Sequence, residues 1–183
     1  MARIFTTLAT LSLGLVATAM ILGLAVGDLY NSPSDSDLRW KSVHLLTGVA
    51  AALAVVLVES IVVTYFIGTS RWCKEVTETY SLDATSLRQS TQLKRKTFPL
   101  CLVGMLTVVG VAALGARSDP GTILDNTAWW ANVHLVGAFA GICLIGWTYY
   151  RAWLNINANQ QVIDNLVAQV QGIRAARGLA AAE

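Results

Sequence analysis

The chain has 183 residues, of which 55% are hydrophobic and only 13% are charged. Several continuous apolar runs reach the ~20 residues that a helix needs to cross a bilayer, so the composition excludes a soluble domain and predicts an integral membrane protein. The net charge is only +2, and the sequence has no phosphate-binding loop or nucleic-acid-binding surface. Cys73, Cys101 and Cys143 have no paired spacing, so we predict neither a disulfide nor a zinc site.

The first apolar run covers about residues 5–29 and has features of both a signal peptide and a membrane helix. Ala17-Thr18-Ala19 has the small residues of a cleavage site, but a signal peptide turns polar after its cut. Here the sequence stays apolar through residues 20–24. We therefore predict an uncleaved first membrane helix.

Three further membrane helices are predicted, each an apolar run between polar or turn-rich segments: Trp40 to about Gly68, Pro99 to about Ala116, and Trp129 to about Trp153. A polar continuation over residues 71–80 extends the second helix beyond the membrane. Pro99 suits the first turn of the third helix, where its missing N–H costs nothing. Together the four helices form an all-α membrane domain of residues 1–155.

Residues 156–183 are predicted to form a cytoplasmic amphipathic helix. Its apolar positions recur at spacings of three, four and three, at Ile163, Leu166, Val170 and Ile173. A stripe this short indicates a helix docked on its own protein or on a neighbouring subunit, not a free coiled coil. The alanine-rich end, Ala180–Ala182, is predicted to fray.

Positive charge concentrates in the segment between the second and third helices, at Arg71, Lys74, Arg88, Lys94, Arg95 and Lys96. The tail adds further arginines, whereas the other two loops are mildly acidic. Because cytoplasmic loops are enriched in lysine and arginine, this segment and both termini are predicted to face the cytoplasm. We expect a multi-pass protein of a bacterial inner membrane.

A short motif occurs twice. Residues 40–45 read WKSVHL, and residues 130–135, ninety positions later, read WANVHL. The histidines of the two motifs, His44 and His134, are the only ones in the chain. We predict two tandem two-helix repeats, about 5–70 and 98–155, related by a pseudo-two-fold axis along the membrane normal.

The repeat places two imidazoles at one depth in the bundle. Each histidine follows an interfacial tryptophan by four helical positions, or ~6 Å of rise, so it lies about one turn below the membrane surface. Two such rings suit a single b-type haem ligated from both sides, since imidazole is a common ligand of haem iron. His44 and His134 are therefore the predicted metal ligands.

Small residues at the same level leave space for a macrocycle, namely Gly48 and Ala51, Gly137 and Gly141, Gly23 and Gly27, and Ala112 and Gly115. Arg39 and Arg117, together with Lys41, lie at the outer rim and could pair with haem propionates. The alternative is that the glycines only allow close helix packing. The histidines would then bond water or a loop carbonyl.

Glu59 is the other ionisable residue within a predicted membrane helix. It lies fifteen residues beyond His44, or ~22 Å along the helix, and cannot ligate the same metal. A carboxylate in the membrane is a candidate proton carrier or quinone contact. The alternative is a carboxyl group kept neutral by burial and bonded to Ser60, Thr64 or a tyrosine of the fourth helix.

The layout is like that of four-helix membrane b-type cytochromes in architecture, without a shared motif. The first functional hypothesis is a membrane electron-transfer subunit, not an enzyme by itself, with one bis-histidine haem b near the non-cytoplasmic side. It would exchange electrons with a quinone or a neighbouring subunit of a respiratory or photosynthetic complex. The alternatives are a cofactor-free accessory or assembly subunit, and a pigment protein in which each histidine ligates its own chlorophyll-type magnesium.

Overall fold

The computed structural model describes residues 1–178, which form four α-helices: α1 Ala2–Ala25, α2 Asp35–Thr79, α3 Thr85–Ser118 and α4 Thr127–Ala176. All four are long and apolar enough to cross a membrane. The prediction of an all-helical chain with four potential membrane spans is therefore confirmed. The predicted fraying of Ala180–Ala182 lies outside the described residues.

Helix α2 begins before the first tryptophan motif because a capping box fixes its start. The Ser34 hydroxyl accepts a hydrogen bond from the Asp37 N–H at 3.2 Å, and the Asp37 carboxylate accepts one from the Ser34 N–H at 3.0 Å. Asp35 and Asp37 also place negative charge at the positive end of the helix dipole. Trp40 consequently lies in the second turn of α2, not at its start.

The predicted start of the third helix at Pro99 is wrong. Helix α3 begins at Thr85 and contains Pro99 in its interior. A proline there leaves the carbonyl four residues earlier, at Arg95, without its helical N–H donor and costs ~3 kcal/mol. The helix continues because the segment before Pro99 packs on its neighbours through Leu87 and Leu93.

The predicted tail helix is the end of α4, which runs without a break from Thr127 to Ala176. Val162 and Leu166 are buried against Cys73 of α2, and Leu82, Leu87, Leu93 and Ile163 pack around them. The short apolar stripe is thus docked on the protein's own α2–α3 hairpin. We name this three-helix extension, residues 69–97 and 155–176, the stalk.

Buried side chains are concentrated toward the stalk end of the bundle. Among the described residues of α2 and α4, the first buried positions are Ala51 and Gly141. Below them lies a continuous core that includes Val55, Val62 and Ile145. Above them, between the histidine motifs and the loops, the helices enclose open space.

A buried amide links the stalk to the membrane core. Asn159 is fully buried, and its side-chain oxygen accepts a hydrogen bond from the Ser90 hydroxyl at 3.0 Å. Its NH2 group donates to the Tyr65 hydroxyl at 3.2 Å and to the Thr69 hydroxyl at 3.0 Å. One side chain therefore ties α4 to both α2 and α3 without leaving a buried polar atom unpaired.

We expect Leu166→Ala to lower the free energy of unfolding of the stalk by about 2–5 kcal/mol, because it leaves a cavity at a fully buried position. Amide hydrogen exchange over residues 160–176 measures this loss. The neighbouring Val167→Ala, at a position that is 37% exposed, is the control and should change exchange little. Equal effects of the two substitutions would show that the stalk is not held by this contact.

Candidate cofactor site

His44 of α2 and His134 of α4 lie beside one another in the open part of the bundle. Their ring centroids are 6.2 Å apart and their planes are inclined by 67°. Both side chains are partly buried. The two motifs that are ninety residues apart in sequence thus bring their imidazoles to one place.

Each imidazole is held by a backbone carbonyl of the adjacent helix. His44 Nδ1 lies 2.9 Å from the Ala19 carbonyl oxygen of α1, and His134 Nδ1 lies 3.1 Å from the Val111 carbonyl oxygen of α3. A carbonyl oxygen can only accept, so Nδ1 donates and carries the proton. Nε2 of each neutral ring is then the nitrogen with a free lone pair.

Two glycines allow the rings to lie against the neighbouring helices. A Cβ atom at Gly23 would be 2.9 Å from His44 Cε1, and one at Gly115 would be 3.1 Å from His134 Cε1. Both distances are too short for ordinary carbon contacts. The glycines therefore favour the ring positions in which the carbonyl hydrogen bonds form, in addition to allowing close packing of helix on helix.

A cavity of about 680 Å³ surrounds the two rings and is lined by residues of all four helices. This volume is within the ~300–1,000 Å³ typical of small-molecule and cofactor sites. Gly48 and Gly141, both predicted site residues, belong to the lining. A Cβ at Gly48 would meet no atom within 4 Å, so this glycine faces open space.

Three other predicted site residues lie outside the described lining. Gly137 faces Leu114, whose Cδ1 would be 2.7 Å from an added Cβ, so it serves the packing of α4 on α3. Arg39 is exposed. The Arg117 guanidinium lies over the Trp130 ring, 5.1 Å from its centroid, which is a cation–π arrangement.

An ion pair stands at the loop end of the cavity. Lys41 Nζ is 2.7 Å from Asp119 Oδ1, and both residues line the cavity together with Tyr30. The hydrogen bond from Lys41, and next that from the Gly121 N–H, hold the pKa of Asp119 below its ordinary value. The Tyr30 hydroxyl donates to the Ser118 carbonyl at 2.8 Å, so both loops are tied together here.

Glu59 forms a separate polar site deeper in the bundle. It is fully buried, and its Oε1 accepts a hydrogen bond from the Thr148 hydroxyl at 3.1 Å. Its Oε2 has no hydrogen-bond partner, which for a buried polar atom costs about 1–3 kcal/mol. The hydroxyl partner of the Glu59 carboxyl is therefore Thr148 of α4, and not Ser60 or Thr64. The Thr64 hydroxyl donates instead to the Ser60 carbonyl.

Within residues 1–178 there is no group of three or more His, Cys, Asp or Glu side chains that could hold a bare metal ion. A metal between the two histidines would have two imidazole ligands from the protein. Its remaining ligands would have to come from a macrocycle or from solvent.

Comparisons with known proteins found no match among family models, curated proteins or solved structures.

Sequence reasoning identified the histidines but not what holds them. The Ala19 and Val111 carbonyls are backbone groups, and no residue type in the sequence marks them. Lys41 and Asp119 are 78 residues apart, and nothing in their local sequence pairs them. The one sequence signal for the histidine contacts is the glycine pair. Gly23 and Gly115 are 92 residues apart, two more than the histidines.

The Lys41–Asp119 pair should stabilise the loops only while Asp119 is ionised. Because its pKa is depressed in the folded protein, this stabilisation is complete above the ordinary value of 3.8 and is lost as the pH falls through the lowered value. We expect Asp119→Asn to lower stability by at most about 1 kcal/mol near neutral pH, since both partners are partly exposed. The difference from the unmodified protein should vanish at pH values well below 3.8.

Thermal unfolding in detergent over a pH series measures this difference. The control is Glu78→Gln, which removes a more exposed pair with Lys74, 3.8 Å apart. An effect of Asp119→Asn that is constant across the series would contradict an electrostatic role of Asp119.

Proposed function

We propose that the protein is a membrane electron-transfer protein of the b-type cytochrome kind, with one haem ligated by His44 and His134. The supporting observation is the pair of rings whose Nδ1 atoms are engaged by carbonyls and whose centroids are 6.2 Å apart. Two imidazole nitrogens that bind one metal at ~2 Å each are about 4 Å apart, which puts the ring centres about 6 Å apart. The observed separation agrees with this value.

The carbonyl hydrogen bonds are those expected around a metal-ligating histidine. Donation from Nδ1 fixes the tautomer and the ring orientation, and it raises the basicity of Nε2. A bound haem would supply a one-electron couple between ferric and ferrous iron. The residues of the chain orient the ligands.

The cavity also offers a place for the charged edge of a haem. Lys41 is the cation that lines its loop end, where it already holds the Asp119 carboxylate. A propionate would be an equivalent partner for Lys41. Arg39 and Arg117 remain candidates for the outer rim, and Gly48 and Gly141 for contact with the macrocycle.

A two-fold arrangement of the helix pairs supports the proposed tandem repeat. With a spacing of 90 residues for α2 and α4, buried positions coincide at Ala51/Gly141, Val55/Ile145, Val58/Thr148, Val62/Ala152 and Phe66/Ile156. For α1 and α3 the spacing that relates the histidine contacts is 92, since Gly23 corresponds to Gly115 and Ala19 to Val111. A ligand on this pseudo-axis presents similar faces to both rings, as a metal macrocycle does.

We further propose that both termini and the stalk face the cytoplasm of a bacterium and that the cavity lies toward the opposite side of its inner membrane. The distribution of lysine and arginine supports this orientation. The haem would then receive or deliver electrons near the non-cytoplasmic surface. Its partner would be a neighbouring membrane subunit, a second copy of the chain or a quinone.

The separation of the rings weighs against the pigment alternative. Two chlorophyll-type rings, each ligated by its own histidine, require the imidazoles to point apart, whereas these lie 6.2 Å from one another. The accessory-subunit alternative predicts no visible absorption band, whereas the haem proposal predicts a Soret band. One absorption spectrum therefore distinguishes the two.

The protein purified in detergent from cells supplied with haem should show a Soret band and, after reduction with dithionite, the sharp band pair of low-spin haem. His44→Ala and His134→Ala should each lower bound haem about tenfold or more, because each removes one of two ligands. Absorbance per mole of protein measures the loss. A featureless spectrum from the unmodified, folded protein would support the accessory-subunit alternative.

The glycines provide a test that leaves both ligands in place. We expect Gly23→Val and Gly115→Val to reduce haem binding, because their side chains would displace the rings from the carbonyls. The matched control is Gly110→Val, at an exposed position of α3 where an added Cβ meets no atom within 4 Å. Equal haem content in all three variants would contradict the proposed orientation of the ligands.

A further inference from the structure

The Glu59 site lies at the meeting point of helices α2, α3 and α4. Cys101 and Gly104 of α3 face the carboxyl group from one side, and Thr148 of α4 faces it from another. The titratable neighbours are the Cys101 thiol and the Tyr149 hydroxyl, and α1 contributes Ser12, which is bonded to Tyr149. None of the ion pairs found among residues 1–178 includes Glu59.

Neither protonation state of Glu59 is fully satisfied by these neighbours. An ionised carboxylate has no counter-ion; its donors are the Cys101 thiol and the Thr148 hydroxyl, which also lies 2.8 Å from the Ile145 carbonyl. A carboxyl protonated on Oε1 can donate to Thr148, but Oε2 has no hydrogen-bond partner in either state. A carboxyl group that only served packing would be expected to have both oxygens paired.

The proposed repeat shows what a satisfied group at this position looks like. The counterpart of Glu59 is Tyr149, and the counterpart of Gly104 is Ser12. The Tyr149 and Ser12 hydroxyls are hydrogen-bonded to each other at 3.0 Å, and both residues are buried. On the other side of the axis the serine is replaced by a glycine, so Glu59 lacks the partner that Tyr149 has.

The surroundings of Glu59 differ in the two directions along the bundle. Toward the loops, Val108 and Ile145 form part of the cavity lining, and they lie only one helical turn from Gly104 and Thr148. Toward the stalk, Val62, Phe66, Ala152 and Ile156 are fully buried. The next side-chain amide on α4 in that direction is Asn155, seven residues or ~10 Å beyond Thr148, which donates to the buried Thr97 hydroxyl of α3 at 3.0 Å.

We propose that Glu59 is a proton-binding site in the membrane domain that exchanges its proton through the histidine cavity. On release, the O–H bond of the Glu59 carboxyl breaks, the carboxylate keeps the electron pair, and the proton passes to water in the cavity and leaves at the Lys41–Asp119 end. Uptake is the reverse. The site does not require a haem.

Infrared spectroscopy of the protein in lipid bilayers tests the proposal directly. The carbonyl stretch of a protonated carboxyl should be present, should shift in D2O, should lose intensity as the pH is raised and should be missing in Glu59→Gln. Glu78→Gln, at an exposed position of the same helix, is the control and should keep the band. A band that neither exchanges in D2O nor changes with pH, or no band that depends on Glu59, would overturn the proposal.

The route is tested by filling the cavity. Gly48→Leu and, at a second lining position, Ala52→Leu should slow the D2O shift of the Glu59 band about tenfold, the change that ~1.4 kcal/mol of added barrier produces. Gly110→Leu is the matched control, at an exposed glycine with open space around it. Unchanged exchange in both cavity variants would overturn the route. Because the readout uses no visible absorption, a protein without haem still gives a result.

Discussion

Each imidazole donates a hydrogen bond to the backbone of the neighbouring helix, and the open half of the bundle is arranged around these two bonds. A polar ring in an apolar bundle needs a partner, and here the partner is a helix carbonyl that also serves its own helix. The bond requires the ring to lie against the helix surface. Glycine at positions 23 and 115 makes that approach possible, because each ring lies where a side chain would otherwise be.

The fully packed half of the bundle follows from a second constraint, the pairing of buried polar side chains. Asn159 has all its hydrogen bonds satisfied and joins three helices, whereas Glu59 is left with one unpaired oxygen. Between them lies an apolar layer that includes Phe66 and Ile156. The molecule thus has a tightly packed region around Asn159 and a more open region around the two histidines.

Much of this arrangement could be predicted from the sequence, because hydrophobic length identifies membrane helices and a repeated motif identifies equivalent positions. The four helices and the nearness of His44 to His134 follow from such patterns. The continuity of α3 and α4 could not be predicted in this way. Pro99 and the polar start of the tail resemble helix boundaries, but both helices continue past them because the stalk is packed together. Local propensity was outweighed by tertiary contacts that leave no mark in a single sequence.

The hydrogen-bond partners of Glu59 and of the two histidines also could not be predicted from the sequence. Thr148 is 89 residues from Glu59, and the carbonyls that orient the histidines carry no side-chain signature. The Gly23–Gly115 spacing of 92 residues differs from the histidine spacing of 90. A single spacing of 90 residues relates Gly14 to Gly104, whereas the contacts relate Ser12 to Gly104. The connection between α1 and α2 accounts for the change: His44 follows Gly23 by 21 residues, whereas His134 follows Gly115 by 19.

The unbroken course of α4 has a consequence for any partner that binds the stalk. From His134 to Ala176 the helix extends over 42 residues, or ~63 Å, while charges in solution are screened within ~8 Å. Electrostatic influence from the tip cannot reach the rings over that length. A molecule bound at the end of the stalk can therefore influence His134 only mechanically. It would have to tilt or rotate α4 as a rigid helix about the hydrogen bonds of Asn159.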